Sequence, residues 1–190
     1  MSCLLTVVLD SCVLYSAPLR DLLMQLALGG LLRPRWSDRI HEEWISNLLE
    51  ARADLTRVQL ERTRDLMNLN FADCVVAGYE SLITLIKLPD ENDRHVAAVA
   101  IASGADLIVT FNLRDFPKQI LGAWGIEVLN PDDFFSELLG LEPERFREAV
   151  RRQRQNLSRP PKSTEEFMRI LERQMIPKTV NSLRAYHNLL

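Results

Sequence analysis

Residues 4–10, LLTVVLD, form a continuous apolar run rich in β-branched side chains and closed by a single charge. A run of that kind predicts a short strand buried on both faces, ending at Asp10. The spacing then turns helical in SAPLRDLLMQLALGG, where Pro18 suits the first turn and Gly29 with Gly30 supplies the stop. In SDRIHEEWISNLLEA, Ser37 stands as cap and Ile40, Trp44, Ile45 and Leu48 share one face. That segment predicts a second helix, carrying Glu42 and Glu43, and LTRVQLERTRDLMNL predicts a third.

VVAGYESLITLIKLP fits either period, but its β-branched content predicts at least one strand, in LITLIK. PDENDRHVAAVA then begins a helix, with Asp90 suited to the N-cap and Asp93 to the third position, where the helix dipole favours negative charge. GADLIVTFN predicts a strand beginning after Gly104, LRDFP a turn, GIEVLNP another short strand and PDDFFSELLG a helix. Strands alternating with helices predict an α/β fold with a central, mostly parallel sheet flanked by helices. Past Leu141 the strand signals cease, and PERFREAVRRQRQNL, TEEFMRILERQM and KTVNSLRAYHNLL read as amphipathic helices, interrupted at Pro160 and Pro161. The expected organisation is a domain over 1–140 and a helical C-terminal extension over 141–190, divided near Gly140.

Composition narrows the setting. Cys3, Cys12 and Cys74 are odd in number and form no C-x-x-C pair, so neither a disulfide framework nor a cysteine zinc site is expected, and a reducing cytoplasm fits best. The apolar run in MSCLLTVVLD is too short for a membrane span and lacks a basic leader, so neither export nor a membrane partner is expected. Formal net charge is −3, yet Leu141–Lys162 carries seven Arg or Lys against three Glu. That stretch is therefore +4 and the remainder −7, a segregation of acid from base.

Candidate chemistry follows from the predicted topology. In a parallel α/β sheet, Asp10 and the TFNLRD turn lie at the C-terminal edge, where ligands bind. If LITLIK is a strand, the crossover helix after it starts at the same edge and brings Asp93 there. Asp10, at the end of a buried strand, loses solvation unless something pairs with it, and a divalent cation would do so. Oxygen donors without a Cys or His cluster point to Mg²⁺ or Mn²⁺ and away from zinc. Each acid also has a structural alternative: Asp90 and Asp93 as helix caps, Asp115 as cap of the next turn. Arg94 is open to a salt bridge or a phosphate contact. His95 is open to a base, a phosphate contact or a partly buried helix position, whereas His41 and His187 have no helical partner at metal-ligand spacing. Trp36 and Trp44 are read as packing residues. Neither nucleotide-binding glycine fingerprint nor a G-x-S-x-G elbow occurs, and DSC stands where an aspartyl-nucleophile phosphatase has D-x-D.

VVLDSCVLYSAPLRDLLMQLA, WSDRIHEEWISNLL and LPDENDRHVAAVAIASGADLIVTFNLRDF, in this order, resemble PIN-domain proteins, specifically the VapC-like toxins of bacterial toxin–antitoxin systems, over roughly residues 4 to 136. The resemblance implies a PIN-like fold and an Mg²⁺- or Mn²⁺-dependent endoribonuclease restrained by a cognate antitoxin protein, with a homodimer possible. Carried over by position, it makes Asp10, Glu43, Asp93 and Asp115 the catalytic and metal-binding acids. Asn112 assists and Asp90 belongs to the wider patch. Glu42 is a substitute for Glu43, which is preferred because it directly precedes the apolar Trp44. Contact with RNA is expected from Arg94 and from Arg151, Arg152 and Arg154, the last three also suiting an exposed helix or an antitoxin-docking face. Two other functions remain open, a catalytically silent PIN-fold scaffold and a DNA-directed metal nuclease. Without metal the four acids would repel one another, so neutralising Asp10 or Asp93 is expected to raise stability.

Overall fold

The computed structural model describes residues 4–158 and 160–186. Four strands, β1 (Leu5–Leu9), β2 (Leu32–Arg35), β3 (Leu107–Val109) and β4 (Glu127–Leu129), alternate with helices. Between β1 and β2 come α1 (Ser11–Leu14) and α2 (Ala17–Leu28). After β2 come α3 (Asp38–Ala51), α4 (Arg57–Asn70), α5 (Glu80–Ile83), a 3₁₀ turn at Glu91–Asp93 and α6 (Arg94–Ala102). α7 (Lys118–Gly122) precedes β4, and α8 (Pro131–Leu141), α9 (Pro143–Asn156), α10 (Thr164–Glu172) and α11 (Pro177–Arg184) follow it. Two compact units result, one from residues up to 15 with 32–130, the other from 16–31 with 131 onward. Gly140 lies inside α8.

In the first unit the sheet order is β2-β1-β3-β4 and every pairing is parallel. β1 is central, with Val7 opposite Leu107 and Leu9 opposite Val109. Val7, Val8 and Leu9 are fully buried, a gain of about 1.5–3 kcal/mol for each side chain, and this is why the opening run is unbroken by polar residues. β2 has no counterpart in the expected elements, because Pro34 and two arginines hide it. Its burial nonetheless alternates, Leu32 and Pro34 in, Arg33 out, as a strand requires.

The strand expected in LITLIK does not form. Residues 80–83 make the short helix α5 and the rest is irregular, with Leu85 68% exposed. What occupies that side of the sheet is a single bridge between Trp36 and Val75, in which the Trp36 N–H donates to Cys74 O at 2.9 Å and the Val76 N–H to Trp36 O at 2.8 Å. Asp93 reaches the C-terminal edge by another route. α6 buries His95 to Ala100 without interruption, packs against β1 and β3, and turns into β3 at Gly104, whose φ of +59° suits glycine. A helix that feeds a strand and lies back along it must start beside that strand's C-terminal end.

The second unit is helical. α9 buries Phe146, Ala149, Val150 and Gln153, the i, i+3, i+4, i+7 face that its pattern predicts, and packs on α2. Gln153 Nε2 donates to Pro18 O at 2.7 Å, and Arg145 donates to Gly29 O and Gly30 O at 2.7 and 2.8 Å, satisfying carbonyls at the end of α2. Asp132 on α8 accepts the Lys178 and Thr179 N–H groups at 2.9 and 2.8 Å, capping α11. Pro160 and Pro161 fall between α9 and α10, where the break was expected.

Candidate active site

β1 delivers Asp10 to the C-terminal edge of the sheet, where its backbone N–H donates to Val109 O at 3.1 Å and its side chain is buried. Both carboxylate oxygens are held. Oδ1 accepts the Ser11 N–H at 2.6 Å, which makes Asp10 the N-cap of α1, and Oδ2 accepts the Thr110 hydroxyl at 2.6 Å and the Cys12 thiol at 3.2 Å. Thr110 Oγ1 accepts the Asn112 N–H at 3.0 Å, and Asn112 Nδ2 donates to Asp93 Oδ2 at 3.0 Å. A chain of hydrogen bonds therefore runs from Asp10 through Thr110 and Asn112 to Asp93, crossing from the end of β1 to the start of α6.

The two acids of the PDEND turn divide the roles that either could have taken. Asp90 is the cap, its Oδ1 accepting the Asn92 N–H at 2.8 Å, whereas Asp93 makes no side-chain capping bond. Burial, followed by the charges of Asp10, Asp90 and Asp115, pushes the Asp93 carboxyl up to about 6, with His95 acting in the opposite sense. Asp115 is half-buried in the turn after β3, its N–H donating to Asn112 O at 3.2 Å. It does not cap α7, whose N-cap Pro117 has no side-chain bond.

Glu43 approaches from α3. Its Oε1 lies 2.8 Å from His95 Nε2 and 3.3 Å from Arg39 Nε. Burial alone would raise its carboxyl, but the His95 contact, aided by Ser11 and Arg39, holds it below the usual carboxylate range. Glu42 turns away to a bidentate pair with Arg57, both contacts 2.9 Å. His95 is fully buried and cannot meet a phosphate from solvent. Arg94 is paired with Glu91 at 2.8 Å. In the second unit, Arg151 and Arg152 share Glu148, each at 2.8 Å, and Arg154 Nη1 donates to Lys162 O at 2.9 Å.

Thr110, Ser11 and Cys12 were not singled out in the sequence. Thr110 is fully buried and its partner lies a hundred residues away, so no local pattern marks it. Burial and the neighbouring Asp10 charge push the Cys12 thiol up to about 12, which suits a hydrogen-bond donor and not a nucleophile. The donor chemistry of Asp10, Glu43, Asp93 and Asp115 suits a hard divalent cation, and the mutual repulsion felt at Asp93 is what such a cation relieves. Among the described residues, no three His, Cys, Asp or Glu side chains already stand in a coordinating arrangement.

A protein of Mycobacterium tuberculosis (strain ATCC 25618 / H37Rv) named "Putative ribonuclease VapC50" is 42% identical over 67 residues, which cover 35% of this chain and 39% of the relative's length. No solved structure gives a significant match. The VapC50 C-terminal domain pattern matches residues 131–185, which span α8 to α11. The PIN domain pattern matches residues 6–114, more than half of the chain, and takes in Asp10, Glu43, Asp93 and the Thr110–Asn112 relay along the all-parallel sheet: the chain belongs to the PIN-domain family.

Proposed function

We propose that the chain is a metal-dependent endoribonuclease that hydrolyses RNA phosphodiester bonds, the toxin of a type II toxin–antitoxin pair, held in check by a cognate antitoxin protein. The observation that carries this reading is the Asp93 carboxyl, pushed up to about 6 by burial and then by the charges of Asp10, Asp90 and Asp115. The family membership and the name of the partial relative support it.

Asp10, Glu43, Asp93 and Asp115 would hold Mg²⁺ or Mn²⁺. When bound, such an ion lowers the pKa of water and stabilises charge on the phosphodiester. The chain's own residues prepare the site. Thr110 and the Ser11 N–H fix the Asp10 carboxylate, and Asn112 fixes Asp93 through Oδ2. The Cys12 thiol, pushed up to about 12, stays protonated and is not a nucleophile. We assign Arg151 and Arg152, exposed on α9, to the RNA backbone. The remaining assignments, a domain boundary near Gly140, a homodimer and a cytoplasmic setting, belong to the same proposal. Among the described residues no helix is long and apolar enough to cross a membrane.

The test is incubation of the purified chain with RNA and with a sequence-matched DNA strand, in Mn²⁺ and in EDTA. Cleavage of RNA in Mn²⁺ alone is expected, lost in Asp93→Asn. Cleavage of DNA in preference to RNA, or undiminished cleavage in EDTA, overturns the reading.

A further inference from the structure

His95 is an anomaly in α6. The helix is buried from His95 to Ala100, and every other residue in that run is Val or Ala. An imidazole in such a place costs free energy unless its nitrogens find partners. Nδ1 finds none among the described residues. Nε2 has one close polar neighbour, Glu43 Oε1 at 2.8 Å, although the carboxylate stands off the line of the ring N–H. An apolar side chain would fill the position without leaving a bare nitrogen. The closest polar gain the imidazole brings among the described residues lies at Glu43.

The same carboxylate is gripped from its own helix. Arg39 Nε lies 3.3 Å from Glu43 Oε1, and Arg39 Nη2 donates to Asn92 O at 3.3 Å in the 3₁₀ turn that ends at Asp93. Arg39 is a surface residue, 46% exposed, whereas the His95 side chain is 0% exposed. A side chain locked by packing sets an orientation that a solvated one only follows. His95 therefore supplies the fixed reference for Glu43, and it sits two residues after Asp93, so that one short segment orients an acid from α3 and presents its own.

We infer that His95 is a positioning residue, its buried Nε2 holding the Glu43 carboxylate in place for divalent-cation binding and RNA cleavage. The inference rests on the metal-dependent reading above. It predicts that loss of the imidazole acts chiefly through Glu43. It also predicts that a side chain able to return an N–H to the Nε2 position restores function.

The experiment measures Mn²⁺ affinity by isothermal titration and by the Mn²⁺-induced shift in melting temperature, together with kcat and KM for RNA. The proteins compared are wild type, His95→Leu, His95→Gln, Glu43→Gln and the Glu43→Gln/His95→Leu double variant. His95→Leu is expected to weaken Mn²⁺ binding about tenfold or more and to lower kcat, with KM for RNA unchanged. His95→Gln is expected to recover most of the loss. In the Glu43→Gln background, adding His95→Leu should change Mn²⁺ affinity less than about twofold, since coupled residues are not additive. Equal Mn²⁺ binding by wild type and His95→Leu overturns the inference. So does a second, full loss in the double variant, or a His95→Gln protein as impaired as His95→Leu. A wild type with no Mn²⁺ response overturns the metal reading and this inference with it, whereas a responding wild type leaves only the His95 assignment at stake.

Discussion

Asn112 donates its side-chain amide to Asp93 at 3.0 Å while its backbone N–H rests on Thr110 Oγ1, the hydroxyl that grips Asp10. One residue thus joins acids contributed by segments some eighty positions apart. Asp10 and Asp93 nevertheless differ in their circumstances. Asp10 is surrounded by donors, and Asp93 by other acids, and their substitutions should behave differently.

Asp93→Asn should melt at a higher temperature than wild type in EDTA at neutral pH. Its carboxyl is raised from 3.8 to about 6 in the native state, so between those values the native form binds more protons than the unfolded chain. Wild-type stability should fall as pH rises through that window and level off above about 6, and the variant should lack that part of the slope. Melting curves from pH 4 to 8 in EDTA measure it; a variant with the wild-type slope would show that Asp93 does not carry this strain.

Asp10→Asn should do the opposite and destabilise. An amide offers one acceptor oxygen where Ser11, Thr110 and Cys12 converge on two, and it turns an NH₂ toward a donor. A loss of about 1–3 kcal/mol follows from leaving a buried group unsatisfied, together with loss of cleavage. Urea denaturation measures it. The expectation that neutralising either acid relieves strain treats them alike, whereas the donors gathered on Asp10 (Ser11 and Cys12 beside it, Thr110 a hundred residues away) argue for a loss at that position.

Thr110→Val keeps the shape of a fully buried side chain but removes the hydroxyl, leaving Asp10 short of a donor and the Asn112 N–H short of an acceptor. A destabilisation of about 1–3 kcal/mol and a clear drop in cleavage are expected. Thr110→Ser, which retains the hydroxyl, should keep most of both. Equal activity in Val and Ser variants would show that the relay has no functional weight.

Replacing Arg151, Arg152 and Arg154 by Gln should weaken RNA binding and flatten its dependence on log salt by up to roughly 0.7 per lost contact. Because Arg151 and Arg152 share Glu148, their combined contribution should stay below that of two free cations. Filter binding across a salt series reads the slope directly, and an unchanged slope excludes backbone contact by α9.

The sequence was most legible where burial is uniform. Val7–Leu9 of β1, all of β3 and His95–Ala100 of α6 are buried, and their apolar runs name both the elements and the edge at which Asp10 emerges. It was least legible at the sheet margin. Leu82–Leu88 is as apolar as a core strand, but only Ile86 and Leu88 of it are buried, so composition and position disagree. LRPR, poor in strand formers, pairs with β1 because the register Leu5–Leu32 and Val7–Pro34 puts its two apolar side chains inward. The candidate acids were partly legible as well: the predicted strand ends and turns pointed to Asp10, Asp93 and Asp115 and the family resemblance added Glu43, but the pairing of Glu42 with Arg57 and of Glu43 with His95 required the packing of α3 against its neighbours.

The margin of the sheet has a consequence for how molecules of this chain meet one another. Backbone groups alternate direction along a strand, so the outer side of β2 is served by Leu32, Pro34 and Trp36, the residue whose N–H and carbonyl are consumed by Cys74 and Val76. Pro34 has no N–H to give. An incoming strand would find one donor missing and another occupied, and the arginines flanking Pro34 would add charge to the encounter. A stretch that looks like a poor strand is thereby a good border, one that lets the sheet end without inviting a neighbouring chain to extend it.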